Sequence, residues 1–170
     1  MPLVESDKLK SSIKGEIGEL GIINLISSCS IGYIHCYRPV KDMEGIDLIL
    51  NMEYKRSPIY LQIKCGFSQE GKISFRFKPK VEDFTPSDNF FIICLLFDLQ
   101  TLDFFEDLYI IPSIKLSDPE INNHIKIRQV KNKEFFHLKS NIKKENYLSK
   151  YRINKNELVS YLFEQFRKME

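Results

Sequence analysis

A chain of 170 residues, of which 43% are hydrophobic and 28% are charged, has the length and composition of one globular domain. Its longest apolar run, Phe90–Phe97, is far shorter than the roughly 20 residues of a membrane-spanning helix, and residues 1–10 lack the apolar stretch of a signal peptide. We therefore expect a single domain over residues 1–170, without a membrane span and not secreted. The net charge of +2 is too small to indicate nucleic-acid binding by itself.

The first predicted element is a helix over Ser12–Ser28, in which isoleucine and leucine recur at helical spacing. Gly15, Gly18 and Gly21 recur every three residues along this helix. A glycine inside a helix costs about 1 kcal/mol relative to alanine. The glycine stripe therefore indicates a helix face against which the sheet or another backbone packs closely.

A hairpin is predicted next, after a first strand over Tyr33–Val40. Ile46–Glu53 and Ile59–Cys65 both alternate between apolar and polar residues, and the turn Tyr54–Pro58 separates them. Two alternating segments about a short turn predict an antiparallel pair of strands.

The remaining pattern predicts more strands and a second helix. The strands are predicted over Lys72–Lys80, Phe90–Leu99, Leu108–Ile114 and His124–Val130. The continuous apolar run of Phe90–Leu99 indicates a central strand that is covered on both faces. Asn154 and Glu157 have the spacing of a capping box at the start of the last helix. The order predicts a mixed α/β or α+β fold with a core over residues 12–99 and a C-terminal helical extension over residues 141–170.

The cysteines favour a reducing compartment. None of the four belongs to a Cys-x-x-Cys pair, and only three histidines are present, so the sequence offers no recognisable zinc ligand set. Cys36, Cys65 and Cys94 lie within apolar, strand-like runs. We expect free, buried thiols in a cytoplasmic protein.

Three polar side chains of the hairpin occupy positions in otherwise aliphatic strands. Asp47 interrupts the first strand, and Gln62 and Lys64, two residues apart, leave the same face of the second. The hairpin brings a carboxylate, an amide oxygen and an ammonium group together. Mg²⁺ prefers oxygen ligands, activates water and polarises phosphoryl oxygens, and a lysine can orient that water or stabilise developing charge. The trio therefore indicates metal-assisted phosphate chemistry.

These segments resemble the PD-(D/E)XK nuclease superfamily, most closely the Mrr-type restriction enzymes and the archaeal-type Holliday junction resolvases. The helix carries Lys14-Gly15-Glu16-Ile17-Gly18-Glu19, which is similar to the resolvase-type Lys-Gly-x-x-x-Glu. The strands carry Gly45-Ile46-Asp47-Leu48-Ile49 and Leu61-Gln62-Ile63-Lys64. The resemblance covers roughly residues 12–66 and implies a restriction-endonuclease-like fold and a metal-dependent deoxyribonuclease.

The resemblance also implies roles for individual residues. One Mg²⁺, or Mn²⁺ in its place, would be held by Glu19, Asp47, Gln62 and the carbonyl of Ile63, and Lys64 would assist the attacking water. Glu16 is an alternative to Glu19, since residues three apart share a helix face. Gln62 replaces an acid with a neutral amide, as in Mrr-type relatives. A catalytically lapsed module that binds nucleic acid or a protein partner is therefore the second interpretation, and an unrelated domain with a structural Asp47–Lys64 ion pair is the third.

The expected partner is DNA, with RNA left open. A row of basic residues on one predicted strand would neutralise phosphates, or alternatively protect an edge strand from aggregation; it consists of Lys72, Arg76, Lys78 and Lys80. A second Glu-x-Lys, Glu53-Tyr54-Lys55, lies roughly 20 Å along the strand from Asp47 and is rejected.

A homodimer is the expected assembly. The aromatic residues Tyr161, Phe163 and Phe166 exceed one apolar stripe of the C-terminal helix. The additional apolar side chains suggest that the helix contacts a second protein surface, and a two-fold homodimer is the commonest assembly that provides one. We expect the contact to use this helix or an exposed strand.

Overall fold

The structure, a computed structural model, describes residues 11–40, 45–68, 74–81, 85–117, 126–130 and 133–169. Two α-helices and ten strands are formed by these residues. They are α1 (Ser11–Cys29), β1 (Ile34–Tyr37), β2 (Leu48–Met52), β3 (Ile59–Ser68), β4 (Ser74–Phe77), β5 (Phe90–Asp98), β6 (Asp103–Phe104), β7 (Asp107–Pro112), β8 (Lys126–Val130), β9 (Lys133–Asn141), β10 (Arg152–Asn154) and α2 (Leu158–Lys168). Short 3₁₀ segments cover Ser113–Ser117, Ser149–Tyr151 and Lys155–Glu157.

The strands form two sheets. The large sheet has seven strands in the order β1-β2-β3-β5-β7-β10, with β6 paired to β5. It is mixed, because β3 and β5 run parallel while β2 and β3 run antiparallel. The small sheet has the order β4-β9-β8. The predicted succession of helix, mixed sheet and C-terminal helix is confirmed.

Two hydrophobic clusters make three layers. On one face of the large sheet, Ile22 of α1 and Leu162 of α2 pack with Ile63, Phe91 and Ile93. On the other face, side chains of the small sheet pack against β5 in a cluster that contains Phe77, Phe136, Leu138, Ile92 and Cys94. Consecutive residues of β5 therefore enter opposite cores, which explains the unbroken apolar run of this strand.

Several predicted boundaries move for identifiable reasons. β1 ends at Tyr37 instead of Val40, and Arg38 just beyond it pairs with carboxylates of α1. β7 ends at Pro112, and Ser113 begins a 3₁₀ turn. Of the predicted strand Lys72–Lys80, Ser74–Phe77 is formed and Lys80 makes an isolated bridge to Phe135.

The C-terminal helix is shorter than the predicted extension over residues 141–170. α2 begins at Leu158, and β10 just before it pairs with β7. The predicted capping box is present in the 3₁₀ turn that leads into α2: Asn154 accepts a hydrogen bond from the backbone N–H of Asn156, and Glu157 accepts one from the N–H of Asn154.

The expected apolar surplus on this helix is wrong. Phe166 is 1% exposed, and Tyr161 and Phe163 pack against the same core as Phe166. The ring of Tyr161 also makes an edge contact with Phe91. These aromatic side chains are thus used inside the domain, because α2 packs against the large sheet, including Phe91 of β5.

Within the described part of the chain, no helix is long and apolar enough to span a membrane. The cysteines are free, as predicted. Cys94 is buried, Cys36 and Cys65 are half-buried, and Cys29 is exposed.

Candidate active site

The β2–β3 hairpin brings Asp47 close to β3. Leu48 pairs with Leu61 and Leu50 with Ile59, and the N–H of Asp47 donates to the carbonyl of Leu61 across 2.8 Å. Asp47 thus lies just before β2 and bonds to the residue that precedes Gln62 in β3. The hairpin therefore places Asp47 next to the segment of β3 that carries Gln62.

The carboxylate of Asp47 also binds the backbone of β3. Its Oδ2 accepts a hydrogen bond from the N–H of Ile63 across 2.5 Å. The N–H and C=O of one strand residue point to the same side of the strand. The Ile63 carbonyl therefore points to the side of β3 on which Asp47 lies.

Gln62 is buried with an unsatisfied oxygen. The residue is 2% exposed, and its Oε1 has no hydrogen-bond partner among the described residues. A buried amide without a partner costs about 1–3 kcal/mol. A strand position with an aliphatic neighbour on each side would accept an apolar residue at lower cost, so Gln62 is a polar group that folding alone does not explain.

Glu19 of α1 lies near Asp47, and Arg38 pairs with Glu19. The guanidinium of Arg38 contacts the carboxylate of Glu19 at 3.1 Å and that of Glu16 at 3.2 Å. Burial raises the pKa of Glu19, and the nearby charge of Asp47 raises it further, while Arg38 and Lys64 oppose the shift. Because the charges of Asp47 and Lys64 both act on Glu19, Glu19 lies close to both residues. The side chain of Glu16 is 61% exposed against 25% for Glu19, so the geometry favours Glu19.

A close helix–sheet contact sets the position of Glu19. A Cβ added to Gly18 would lie 2.6 Å from the Cβ of Cys65 and 3.3 Å from Cγ2 of Ile63. At Gly21 an added Cβ would overlap the ring of Phe104. The prediction that the glycine face packs closely is confirmed at these two positions, whereas Gly15 meets only Oε1 of Glu19 at 3.8 Å. Burial raises the pKa of the Cys65 thiol to about 12, so this neighbour is a packing group and not a nucleophile.

Lys64 of β3 is the fourth of the predicted catalytic residues. It is half-buried, and its charge acts on both Glu19 and Cys94. Lys64 leaves β3 on the same face as Gln62, since the two residues are two apart in one strand. A cation at this position counters the negative charge of Glu19 and Asp47.

The donor set suits a hard cation better than zinc. No cluster of three or more His, Cys, Asp or Glu side chains able to hold a metal is found in the described ranges. Two carboxylates, the unsatisfied amide oxygen of Gln62 and the carbonyl of Ile63 offer oxygen atoms only, which is the chemistry of Mg²⁺ or Mn²⁺ sites. The residues therefore fit the implied metal. Glu53, rejected above, lies beyond the other end of β2 and is exposed.

The predicted basic row lies in and next to the small sheet. Arg76 and Lys78 are exposed, and Lys80 is half-buried; Lys72 lies outside the described residues. An added Cβ at Gly66 of β3 would lie 3.6 Å from the ring of Phe77. The strand that carries Arg76 is therefore packed against β3, two residues beyond Lys64.

Two features of this region were not predicted. Arg38 lies in a loop after β1, and its pairing with α1 depends on a contact 22 residues away in sequence. No strand was predicted over β9, although Phe136 and Leu138 alternate with His137 and Lys139. That alternation, although short, was a usable strand signal.

Comparisons with known proteins identify the fold. No family model matches the chain, and no curated protein matches its sequence. The bacterial homing endonuclease I-Ssp6803I is similar in structure, with a TM-score of 0.51 and 13% identity over 94% of this chain and 98% of the endonuclease. A nuclease from a fusellovirus, D212, has a TM-score of 0.53 and 16% identity over 95% of this chain and 98% of its own. The chain shares its fold with these two nucleases.

Proposed function

We propose that the protein is a Mg²⁺-dependent nuclease that hydrolyses phosphodiester bonds in DNA. Its metal ligands are Glu19, Asp47, Gln62 and the carbonyl of Ile63, with Mn²⁺ as an alternative cation. The observation that carries the proposal is the buried, unsatisfied Oε1 of Gln62, whose neighbour Ile63 donates its N–H to the Asp47 carboxylate. A bound cation would offset the cost of leaving that oxygen without a partner.

The chemistry divides among the residues. Bound Mg²⁺ would supply charge stabilisation at the phosphate and lower the pKa of a water molecule. Lys64 orients that water or stabilises the negative charge of the transition state. Arg38 holds Glu19 beside Asp47. The hydrogen bond from Ile63 fixes the Asp47 carboxylate in place.

Two further arguments support the proposal. The shared fold with a homing endonuclease and a viral nuclease fits the expected PD-(D/E)XK arrangement of one helix glutamate, one strand aspartate and a Gln-x-Lys. The four free cysteines agree with activity in a reducing cytoplasm.

A cleavage assay tests this function. Plasmid, linear and branched DNA, and an RNA duplex, are incubated with Mg²⁺, Mn²⁺ or EDTA. We expect metal-dependent DNA cleavage that Asp47→Asn and Lys64→Gln each reduce by at least about 100-fold. Asp88→Asn and Lys150→Gln are exposed controls and should retain activity. Cleavage in EDTA, equal rates in all variants or cleavage of RNA alone would contradict the proposal.

The second candidate is a nuclease-fold module that binds nucleic acid or a protein partner without cutting. Two observations favour it: only two carboxylates converge in the described part of the site, and Arg38 already pairs with one of them. This candidate predicts DNA binding with neither Mg²⁺ binding nor cleavage. Calorimetric titration of Mg²⁺ into the protein distinguishes it from the first.

For the assembly we retain a homodimer, through an exposed strand and not through α2. β1 is an edge strand of the large sheet within the described residues; Tyr33 just before it is 55% exposed, and Tyr37, its last residue, is 51% exposed. In a two-fold dimer, one active site could act on each strand of a DNA duplex. Light scattering that shows a monomer at tens of micromolar would exclude the dimer and favour strand nicking.

A further inference from the structure

The outer face of the small sheet is basic. In the β4–β9 pair, Arg76 stands directly opposite Lys139, and in the β8–β9 pair, Arg128 stands opposite Phe135. Phe77, Leu138 and Phe136 occupy the inward positions of the same strands, so Arg76, Arg128, His137 and Lys139 leave the opposite, outward side. We call this surface, together with Lys78 at the end of β4, the basic face.

Positive charges on this face act on one another. Burial lowers the pKa of His137, and the charges of Arg128, Lys78 and Arg76 lower it further. Like charges directly opposite each other in a sheet, as at Arg76 and Lys139, are destabilising. At the described outward positions of β4, β8 and β9 no acidic residue compensates them. The face therefore carries an unbalanced positive charge on three adjacent strands.

We propose that the basic face binds the phosphate backbone of double-stranded DNA, as a docking surface outside the cleavage site. The inference rests on the proposed function for its choice of DNA, and it adds β8 and β9 to the surface expected from the sequence. A duplex presents regularly spaced phosphates that cations on a sheet can neutralise, with release of counterions. Binding through phosphates positions the duplex without reading its sequence.

Two observations favour a duplex over single strands. Single-strand sites stack bases on exposed aromatic side chains. Apart from the imidazole of His137, the aromatic ring at a described outward position of this sheet is that of Phe135, and both residues are half-buried. The basic side chains are also spread over three adjacent strands, so they form a broad surface and not a narrow groove.

The small sheet packs on the face of the large sheet toward which Gln62 and Lys64 project, whereas α1 with Glu19 packs on the other face. Gln62 and Lys64 of β3 pair with Ile92 and Cys94 of β5, and these two β5 residues pack in the same cluster as the inward side chains of the small sheet. A duplex on the basic face is therefore held on the side of the large sheet toward which Gln62 and Lys64 project.

Binding without cleavage tests the proposal. A labelled DNA duplex is titrated by fluorescence anisotropy with the full chain in EDTA, at several salt concentrations. The variant is Arg128→Gln/Lys139→Gln, and the matched control is Arg167→Gln/Lys168→Gln, which removes the same charges from the last turn of α2. We expect the first pair to raise Kd roughly tenfold and to reduce the salt slope by about 1.8, because each phosphate contact contributes about 0.9.

The outcomes separate this inference from the nuclease proposal. Arg128→Lys/Lys139→Arg retains the charges and should bind as the unsubstituted protein does, which excludes a folding defect as the cause of weakened binding. An unchanged Kd and salt slope in the Gln pair, an equal loss in the α2 control, or tighter binding of an RNA duplex or single-stranded DNA would overturn the inference. Intact binding with no Mg²⁺-dependent cleavage would contradict the nuclease proposal alone.

Discussion

The backbone N–H of Ile63 donates to the carboxylate of Asp47 across 2.5 Å. This hydrogen bond joins the residue before β2 to the middle of β3, just beyond the last paired residues of the hairpin, Leu48 and Leu61. The carboxylate thus has a structural role, satisfying a backbone donor, in addition to the role proposed for it with a metal. The two roles can be separated by substitution.

Asp47→Ala and Asp47→Asn should differ in stability but not in activity. Alanine leaves the half-buried N–H of Ile63 without its acceptor and should cost about 1–3 kcal/mol in the free energy of unfolding. Asparagine keeps an acceptor oxygen and should cost less than half of that. Both variants should lose Mg²⁺ binding. Urea unfolding in EDTA measures the first difference and calorimetry the second; equal stabilities would show that the hydrogen bond contributes nothing.

Gln62→Glu should make the stability of the protein depend on the metal. Position 62 is 2% exposed, so a carboxylate there is desolvated when no cation is bound. A cost of about 2 kcal/mol would lower Tm by roughly 4–8 °C in EDTA. Mg²⁺ should restore it and bind more tightly than in the unsubstituted protein. A Tm that responds to Mg²⁺ no more than that of Gln62→Ala would remove residue 62 from the metal shell.

The raised pKa of Glu19 should by itself make the metal-free protein more stable as the pH falls toward 4.5. The pKa of Glu19 is raised above its ordinary value of 4.5, so the folded state binds a proton that the unfolded state still lacks in this range. The free energy of unfolding therefore rises as the pH falls through the raised pKa toward 4.5. Glu19→Gln should flatten this dependence, and Glu16→Gln is the control. Thermal unfolding in EDTA across this range measures it; an unchanged profile in Glu19→Gln would contradict the assignment.

Gly18→Ala should separate α1 from β3. The added Cβ would meet the Cβ of Cys65 at 2.6 Å, and overpacking of this kind costs about 1–3 kcal/mol. Because Glu19 is the next residue, metal affinity should fall as well. Gly15→Ala, whose Cβ would meet only Glu19 Oε1 at 3.8 Å, should instead stabilise the helix by up to about 1 kcal/mol. Urea unfolding measures the stability of both variants, and calorimetry measures their Mg²⁺ affinity. Equal changes in the two variants would refute the close-packing argument.

Local pattern predicted the elements near the site well. Alternation in Ile59–Cys65 predicted the correct face for Gln62 and Lys64, and glycine spacing predicted the close approach at Gly18. Both signals are properties of one segment. The pairing of Arg38 with Glu16 and Glu19 depends on where a loop turns after β1, and no periodicity encodes such a contact. The prediction of an exposed apolar surface on α2 was wrong for the same reason. Its aromatic residues pack against the sheet, and the helix pattern alone does not reveal that contact.

DNA affinity should increase as the pH falls through the range in which His137 titrates. Burial, followed by the charges of Arg128, Lys78 and Arg76, lowers the pKa of His137 below its ordinary value of 6.5. The folded protein therefore resists protonation of His137, and this group by itself lowers the free energy of unfolding as the pH falls below 6.5. A phosphate on the basic face would favour the imidazolium ion, raise this pKa and couple binding to proton uptake. His137→Gln should remove the pH dependence of Kd below 7, whereas His35→Gln, at an exposed position of β1, should retain it. Anisotropy titrations at constant ionic strength measure both variants, and a pH dependence that survives in His137→Gln would exclude this histidine from the DNA contact.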